Sequence, residues 1–320
     1  MPINIAVIGA GAWGIALALQ MARTGANVYL WSRKELPDPQ TNILSRLNCI
    51  EIPETITVSN AFPKQADIVF LTVPLQYMRS ILPYIPDGHG PLIACCKGVE
   101  TTSLKFPLEI LEEIYPHRKH GALSGPNFAH EVAKGYPTAS VIASKDQELA
   151  QDLANKLSTS TFRLYANNDP IGVEIGGAAK NVFAIASGIA MGAGLGENAR
   201  ASIITRGISE LSKLSTGLGG EPMTLSGLAG VGDMILTCTG QGSRNYSLGY
   251  ELGQGKTLEE ILSQRTTIAE GVTTAPAILQ RAKLHNVNTP IIEAVTHILN
   301  KKITIKTAQN ILMSRPLGSE

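Results

Sequence analysis

The chain has few cysteines and almost no net charge. Its 320 residues include 4 cysteines, and 27 basic and 26 acidic side chains leave a formal charge of +1. Cys49, Cys95, Cys96 and Cys238 show neither C-x-x-C spacing nor a dense framework, which argues against a structural metal and fits a reducing cytoplasm. A near-zero net charge offers no electrostatic footprint for nucleic acid or an anionic membrane. We therefore expect no metal, no nucleic-acid partner and no membrane surface.

Charged side chains are also missing from residues 1–22 and 181–196. The first stretch is long enough to span a bilayer, but it lacks a basic leading segment and contains three glycines. The second stretch is short and interrupted by glycine. We expect neither a signal peptide nor a membrane anchor, and we interpret 181–196 as a buried core helix.

A glycine-rich turn follows the first predicted strand. The apolar run 3–8 leads into Gly9, Gly11 and Gly14, which match G-x-G-x-x-G, and a helix is predicted over 12–24. Such a turn brings the backbone close to phosphate oxygens, and the positive end of the helix faces the anion. Because a second strand at 27–31 completes a strand–helix–strand unit, the turn predicts a dinucleotide pyrophosphate site.

The end of that second strand bears on which dinucleotide binds. An acidic residue there binds the ribose 2′-hydroxyl of NAD, whereas an arginine accepts a 2′-phosphate. Ser32, Arg33 and Lys34 occupy this place, and the first acid is Glu35. The pattern favours NADP(H) over NAD(H), and the alternative is two solvated cations in a loop.

Strand-like and helix-like patterns alternate along the first half of the chain, which is typical of a parallel sheet with helices on both faces. The predicted strands are 3–8, 27–31, 56–58, 67–73, 92–95, 139–143 and 162–165. After residue 168 the β-branched runs thin out and helical spacing continues to the C-terminus. The sequence predicts an α/β, Rossmann-type, doubly wound and mainly parallel sheet domain over 1–168 and an all-helical domain over 169–320.

Ligands of such sheets bind at the carboxyl ends of the strands. We therefore expect 73–74, 97–98 and 124–127 to converge on the cofactor side. Pro74 is expected to end the fourth strand and to begin a ligand-facing loop. His117 and His120 are interpreted as solvated side chains of a basic loop.

Lys180 lies on the first predicted helix of the second domain, which Asp169 and Pro170 are suited to begin. An apolar stripe runs through 171, 175, 178, 182, 185 and 189, and Lys180 projects about 180° away from it. Its own face is small and mostly apolar, which predicts a helix buried on both sides. Within 170–196 the other charged residue is Glu174, which is not a helix-face neighbour. Such a lysine binds an anionic ligand or loses its proton readily, which favours proton transfer over a snorkelling or salt-bridged structural role.

Two glycine-rich segments, 228–233 and 239–245, follow in the second half. They place Asp233, Ser243, Arg244 and Asn245 among glycines that permit close backbone approach. The planar guanidinium of Arg244 suits a phosphate. The segments are either a phosphate-binding set or two ordinary turns.

Distinct motifs lie along nearly the whole chain: Gly9-Ala-Gly-Ala-Trp-Gly14, Cys96-Lys-Gly98, Ser124-Gly-Pro-Asn-Phe-Ala129, Gly177-Ala-Ala-Lys-Asn-Val182, Gly230-Val-Gly-Asp233, Ser243-Arg-Asn245 and Ala269-Glu-Gly-Val272. Taken together, they resemble the bacterial-type NAD(P)-dependent glycerol-3-phosphate dehydrogenases. Several ordered motifs in both halves are more specific than the glycine turn alone.

The resemblance implies a role for individual residues. Lys180 matches the proton acceptor, and Lys97 assists it. The implied cofactor contacts are Gly9, Gly11, Ala12, Trp13, Gly14, Arg33, Lys97, Ala129, Arg244, Ile268 and Glu270. The implied substrate contacts are Lys97, Gly125, Asn127, Lys180, Asp233, Ser243, Arg244 and Asn245.

The reaction implied by the resemblance is reduction of dihydroxyacetone phosphate by NADPH or NADH to sn-glycerol 3-phosphate. In the family this product feeds glycerophospholipid synthesis, which implies a cytoplasmic enzyme, and a homodimer is the family expectation. Two positions depart from the family pattern: Asn127 and Ala12 stand where Ser or Thr is usual. The competing interpretations are another two-domain reductase, of the ketopantoate or β-hydroxyacid type, and a non-catalytic NADPH-binding sensor.

Overall fold

The computed structural model describes residues 2–33, 37, 44–47, 50–85, 88–240, 242–265 and 269–316. Within them the chain divides into two compact units. The first comprises 1–97 and 105–174, and the second comprises 98–104 and 175–320.

The first unit is built on an eight-stranded sheet. Its strands are β1 (Asn4–Ile8), β2 (Asn27–Trp31), β3 (Ile56–Ser59), β4 (Ile68–Leu71), β5 (Leu92–Ala94), β6 (His120–Ser124), β7 (Thr138–Ala143) and β8 (Phe162–Asn167). They lie in the order β3-β2-β1-β4-β5-β6-β7-β8, and the first six follow the 3-2-1-4-5-6 order of dinucleotide-binding folds. The order reverses between β1 and β4, where such sheets open a crevice for ligand.

All neighbouring strands are parallel except β6 and β7, which pair antiparallel with Ser124 opposite Val141. The mainly parallel, doubly wound sheet predicted from the sequence is confirmed. The antiparallel pair has a local consequence: the beginning of β7 lies beside the carboxyl end of β6.

Alternate residues of β1 enter two different cores, which shows that both faces of the sheet are covered. Ile5 and Val7 pack in one cluster with residues of α1, whereas Ala6 and Ile8 pack in another with Met78 and Ile110. A strand buried on both faces reads as a continuous apolar run, as 3–8 does in the sequence.

The helices of the described residues are α1 (Ala12–Ala22), α2 (Leu75–Ile81), α3 (Pro107–Ile114), α4 (Ala129–Lys134), α5 (Gln147–Leu157), α6 (Pro170–Gly192), α7 (Gly196–Gly217), α8 (Asp233–Thr239), α9 (Arg244–Gly253), α10 (Leu258–Ser263), α11 (Glu270–Leu284), α12 (Pro290–Leu299) and α13 (Ile305–Met313). The described part of 175–320 contains helices and turns but no strand, as predicted. Asp169 begins α6 as expected, because its Oδ1 accepts a hydrogen bond from the backbone of Gly172 at 2.9 Å.

Two local predictions are wrong. Pro74 does not begin a loop but directly precedes α2. The fixed φ of proline suits the start of a helix. His120 is not a solvated loop side chain: it opens β6, and its side chain is 9% exposed. Strand pairing with β5 buries it.

One described helix, α6, has the length and composition to cross a membrane. Its most apolar stretch is 89% buried within the protein, as in the core helix of a globular fold. Val173, Ala179 and Phe183 are all fully buried, so the helix is enclosed on more than one side, as its sequence predicted.

Candidate active site

The glycine turn after β1 has no room for side chains at two of its three glycines. A Cβ on Gly14 would lie 1.8 Å from the carbonyl oxygen of Gly9, and one on Gly9 would lie 2.9 Å from the backbone nitrogen of Val73. Gly9 also has a φ of +123°, which L-residues with side chains rarely adopt. By contrast, a Cβ on Gly11 would meet nothing within 4 Å. The turn is therefore closed towards the sheet and open at Gly11.

Thr72 holds this turn against β4. Its Oγ1 donates towards the carbonyl oxygens of Ile8 and Gly9, at 3.1 and 2.8 Å. No sequence pattern indicates this residue, because its contacts join positions more than sixty residues apart.

The N-terminus of α1 follows directly at Ala12, with Gly11 as its cap and no acidic residue in its fully described first turn. Open backbone and an uncompensated positive helix end are what a pyrophosphate requires. The residues present therefore fit a dinucleotide at this edge of the sheet.

Trp13 and Lys97 both lie near Cys95 at the same edge. Burial raises the pKa of the Cys95 thiol well above its usual range, although the charge of Lys97 and a hydrogen bond with Trp13 oppose the shift. Cys95 is consequently a neutral packing group. Two predicted cofactor residues, one from α1 and one following β5, are thus brought together.

Other predicted residues follow the carboxyl ends of neighbouring strands. Arg33 is exposed just after β2, Gly125 and Asn127 follow β6, and Ala129 begins α4, which packs on α1. Lys34 and Glu35, used in the argument on cofactor choice, lie outside the described residues, as does Ile268. The arrangement of the strands confirms that the loops 97–98 and 124–127 share one sheet edge with the glycine turn.

In the second unit, Lys180 forms a buried ion pair with Asp233. The Lys180 Nζ donates to Asp233 Oδ1, and the two residues are 8% and 0% exposed. The sequence predicted no partner for Lys180 on its own helix, and Asp233 lies 53 residues away in the chain. An ion pair was the alternative that the sequence left open beside proton transfer. The carboxylate compensates a charge whose isolated burial would be very costly.

Close backbone packing brings Asp233 to α6. A Cβ on Gly176 would lie 2.3 Å from the carbonyl oxygen of Ala229, so α6 contacts the turn 228–232 through bare backbone. Asp233 begins α8 directly after that turn. Thr237, one turn along α8, donates to the Asp233 backbone carbonyl at 2.6 Å and lies 3.4 Å from its Oδ1. The sequence analysis did not single out Thr237.

Cys238 lies close to this pair but takes no part in its chemistry. Burial raises the pKa of its thiol to about 12, even though the charge of Lys180 opposes the shift. A thiol of this kind is neutral near neutral pH and is a poor nucleophile.

A chain of buried amides connects the neighbour of Lys180 to two further helices. Asn245 Nδ2 donates to Asn181 Oδ1 at 2.9 Å, and Asn245 Oδ1 accepts from the backbone nitrogen of Gly271 at 3.0 Å. Asn245 thereby caps α11 one residue after Glu270. Bare backbone again permits the approach, since a Cβ on Gly249 would lie 2.1 Å from the carbonyl oxygen of Ile185.

Ser243 and Arg244 begin α9. Ser243 is buried and caps the helix, with its Oγ accepting from the backbone nitrogen of Tyr246 at 3.2 Å. Arg244 is exposed, and its carbonyl oxygen accepts from Arg265 Nη1 at 2.9 Å. Arg244 is the first residue of α9, and anions are favoured at the N-terminal end of a helix.

The geometry supports two kinds of chemistry. Backbone in the first unit accommodates a dinucleotide phosphate, and a buried ammonium with a carboxylate partner in the second is suited to proton transfer. Among the described residues, no group of three or more His, Cys, Asp and Glu side chains is placed to hold a metal ion.

Comparison with known families decides between the interpretations that the sequence left open. Residues 4–150 match the family described as the N-terminus of NAD-dependent glycerol-3-phosphate dehydrogenase, and residues 169–310 match its C-terminus. The chain belongs to the NAD-dependent glycerol-3-phosphate dehydrogenase family.

Close relatives of this family support the same assignment. A glycerol-3-phosphate dehydrogenase [NAD(P)+] of Gluconobacter oxydans is 54% identical over 316 residues, which cover 98% of this chain and 97% of the relative. The crystal structure of glycerol-3-phosphate dehydrogenase from Coxiella burnetii is 34% identical, with a TM-score of 0.90 over 98% of this chain and 99% of that one. The family resemblance inferred from the motifs is confirmed.

The competing assignment to a ketopantoate-type reductase is not favoured. A ketopantoate reductase from Ralstonia eutropha aligns with a TM-score of 0.57 and 16% identity, over 96% of this chain and 100% of that one. This likeness shows a shared fold alone.

Proposed function

We propose that the chain catalyses reversible hydride transfer from NAD(P)H to dihydroxyacetone phosphate, giving sn-glycerol 3-phosphate. The observation that carries this proposal is the buried Lys180–Asp233 pair in a member of the glycerol-3-phosphate dehydrogenase family. When bound, the nicotinamide supplies the hydride, and the protein supplies position and charge.

Lys180 serves as the general acid in reduction and as the general base in the reverse direction. Its ammonium donates a proton to the ketone oxygen as negative charge develops there, and in reverse the amine accepts the hydroxyl proton. Asp233 holds the Lys180 nitrogen in place and balances its charge. Lys97 stabilises the same oxygen electrostatically.

We assign phosphate binding to residues at the start of α9 and in the loop after β6. Arg244 provides a planar fork for phosphate oxygens at the start of α9, with Ser243 and Asn245 beside it. Gly125 and Asn127 contribute from the loop after β6. The Asn245 Oδ1 already accepts a hydrogen bond from the backbone nitrogen of Gly271, so Asn245 can offer a ligand only an N–H donor.

Relatives named for NAD(P)+ agree with a site that accepts both NADP(H) and NAD(H). Within that pair we propose a preference for NADPH, with Arg33 at the end of β2 pairing with the 2′-phosphate. Gly9, Gly11, Ala12, Gly14 and Trp13 hold the pyrophosphate side, together with Lys97 and Ala129. Arg244, Ile268 and Glu270 complete the cofactor contacts.

The setting of the reaction is a further part of the proposal. We infer that the product supplies glycerophospholipid synthesis and that the enzyme acts in the cytoplasm as a homodimer. We also propose that a domain over 1–168 binds the cofactor and that a domain over 169–320 binds the substrate and carries out catalysis.

The deciding experiment follows NADPH absorbance in the presence of dihydroxyacetone phosphate, with ketopantoate in a parallel reaction. Oxidation is expected with the phosphorylated substrate and not with ketopantoate. Oxidation with ketopantoate alone would identify a different reductase, and oxidation with neither would identify a binding protein without catalysis.

A further inference from the structure

Ser140 lies directly behind the loop that carries Gly125 and Asn127. It is fully buried on β7, and antiparallel pairing of Ser124 with Val141 sets it just beyond the carboxyl end of β6. A Cβ on Gly125 would lie 3.0 Å from the Ser140 Cα and 3.2 Å from its Oγ. The loop is therefore seated on Ser140, and a parallel β7 would have placed this serine elsewhere.

A hydrogen bond joins Ser140 to Asn127. The Ser140 Oγ donates to Asn127 Oδ1 at 2.9 Å. An amide carries an acceptor at one end and two donors at the other, so a partner on its oxygen determines which end meets a ligand. With Oδ1 engaged, Asn127 presents its Nδ2 hydrogens.

We propose that Ser140 is a positioning residue that makes Asn127 a hydrogen-bond donor to an oxygen of the phosphorylated ketose substrate. A donor suits the oxygens of a phosphate or a ketone, whereas an exposed amide oxygen would repel them. The inference rests on the proposed function and extends it to a residue outside the family motifs.

An asparagine at position 127 depends on such a partner. A Ser or Thr hydroxyl would both donate and accept and would rotate to suit its partner. An asparagine has a fixed polarity and needs a second residue to set its orientation. Ser140 fills that role through a side chain that is 0% exposed.

The test is steady-state kinetics of Ser140→Ala with dihydroxyacetone phosphate and NADPH. Loss of one orienting hydrogen bond is expected to raise KM for dihydroxyacetone phosphate about tenfold. KM for NADPH and kcat should each change less than about twofold. An unchanged KM for the ketose in an active Ser140→Ala enzyme would overturn the inference.

A double-mutant cycle separates orientation of Asn127 from a general structural role. In an Asn127→Ala background, Ser140→Ala should raise KM no further, because the side chain through which it acts is gone. A full tenfold rise in that background would show that Ser140 acts independently, contrary to the inference.

Asn127→Asp tests the donor directly and does not depend on how well a Ser140 variant folds. Ser140 can still donate to the aspartate, but the end that faces the ligand becomes a carboxylate. KM for dihydroxyacetone phosphate is expected to rise at least about 100-fold, because like-charge repulsion replaces a favourable hydrogen bond. A KM within twofold of wild type would contradict the assignment.

Ser144→Ala is the matched control. Ser144 is also a buried serine, 2% exposed just after β7, and its Oγ donates to the His120 carbonyl at 2.7 Å. Ser144→Ala should leave KM for dihydroxyacetone phosphate unchanged. If Ser144→Ala and Ser140→Ala raised this KM equally, Ser140 would contribute only to packing. Absence of dihydroxyacetone phosphate turnover in the wild-type enzyme would instead remove the proposed function itself.

Discussion

At the scale of single residues, the proposed proton transfer depends on one buried ion pair. Lys180 and Asp233 compensate each other, so removal of either leaves a charge in the core. Breaking a buried pair in this way typically costs about 3–5 kcal/mol. Loss of activity must therefore be separated from loss of fold.

Lys180→Met in combination with Asp233→Asn separates the two, since neither remaining side chain is charged. We expect kcat to fall about 10²- to 10⁴-fold, the usual contribution of a positioned acid or base, while the Kd for NADPH stays within about threefold. Lys156→Met is the control, because Lys156 pairs at the surface with Asp152 at 2.7 Å. Retention of most of kcat by the double variant would exclude Lys180 as the proton donor.

The proposed pairing of Arg33 with the 2′-phosphate of NADPH can be tested by a single substitution. Arg33→Ala removes one charge-assisted contact, worth about 1.5–3 kcal/mol, so KM for NADPH should rise about 10- to 150-fold. KM for NADH should change little, because NADH has no 2′-phosphate. Arg163→Ala, which removes an exposed cation from β8, should affect neither cofactor, and equal losses in Arg33→Ala would refute the pairing.

At the scale of elements, the turn between β1 and α1 predicts opposite outcomes for two glycines. Gly14→Ala would drive a methyl group into the Gly9 carbonyl and should lower both the melting temperature and cofactor affinity. Gly11→Ala meets nothing within 4 Å, so its melting temperature should stay close to wild type. Its Kd for NADPH should nevertheless rise at least tenfold, because the pyrophosphate needs that space. Tight NADPH binding by Gly11→Ala, measured by fluorescence titration, would place the phosphate elsewhere.

Helix α12 begins on a carboxylate supplied by α7. Glu210 is buried and accepts from the backbone nitrogens of Ile291 at 2.7 Å and Ile292 at 3.4 Å. Thr289, which precedes the helix, makes no capping hydrogen bond with its side chain. Burial raises the pKa of Glu210 to about 7 despite these hydrogen bonds.

That raised pKa predicts a pH-dependent stability. The native state favours the protonated acid, so the contribution of Glu210 is complete below about pH 4.5 and declines as pH rises through about 7. Chemical denaturation should show the wild type losing stability relative to Glu210→Gln between pH 5 and 8, by on the order of 3 kcal/mol. Glu293→Gln is the control: pairing with Lys283 lowers the pKa of Glu293, so its effect should be constant over this range. A parallel pH profile for Glu210→Gln and wild type would contradict the assignment.

Features set by neighbouring residues in the chain could be predicted from the sequence, whereas contacts between distant residues could not. The glycine turn, β2 and the capped start of α6 are local patterns, and all three were predicted at their observed places. Strand β6 contains a glycine and no β-branched residue, so its own sequence does not indicate a strand. It was absent from the predicted strands. The contacts of Lys180 with Asp233 and of Asn127 with Ser140 join different elements, and no periodicity reports them.

At the scale of the whole molecule, the two units contribute different kinds of chemistry. The first provides backbone: a turn without side chains and an open helix end. The second provides side-chain charge and amide groups, held by helices in bare backbone contact. The glycines are thus as necessary to the proposed reaction as the lysine, because a methyl group at Gly176 or Gly249 would push apart the helices that hold the ion pair and the buried amides.

The exposed apolar side chains of the molecule bear on its oligomeric state. Large aliphatic side chains that are exposed among the described residues fall in the second unit, with Met223 at 76% and Met313 at 80%, whereas the first unit exposes tyrosines such as Tyr136 and Tyr165. Contiguous apolar patches mark interfaces between subunits, and these aliphatic side chains are the candidates for such a patch. If the proposed homodimer forms, light scattering should give twice the chain mass of 34.0 kDa. Met223→Glu with Met313→Glu should shift the mass towards the monomer, and Tyr136→Glu with Tyr165→Glu should not; a monomeric wild type, or the reverse pattern, would exclude this interface.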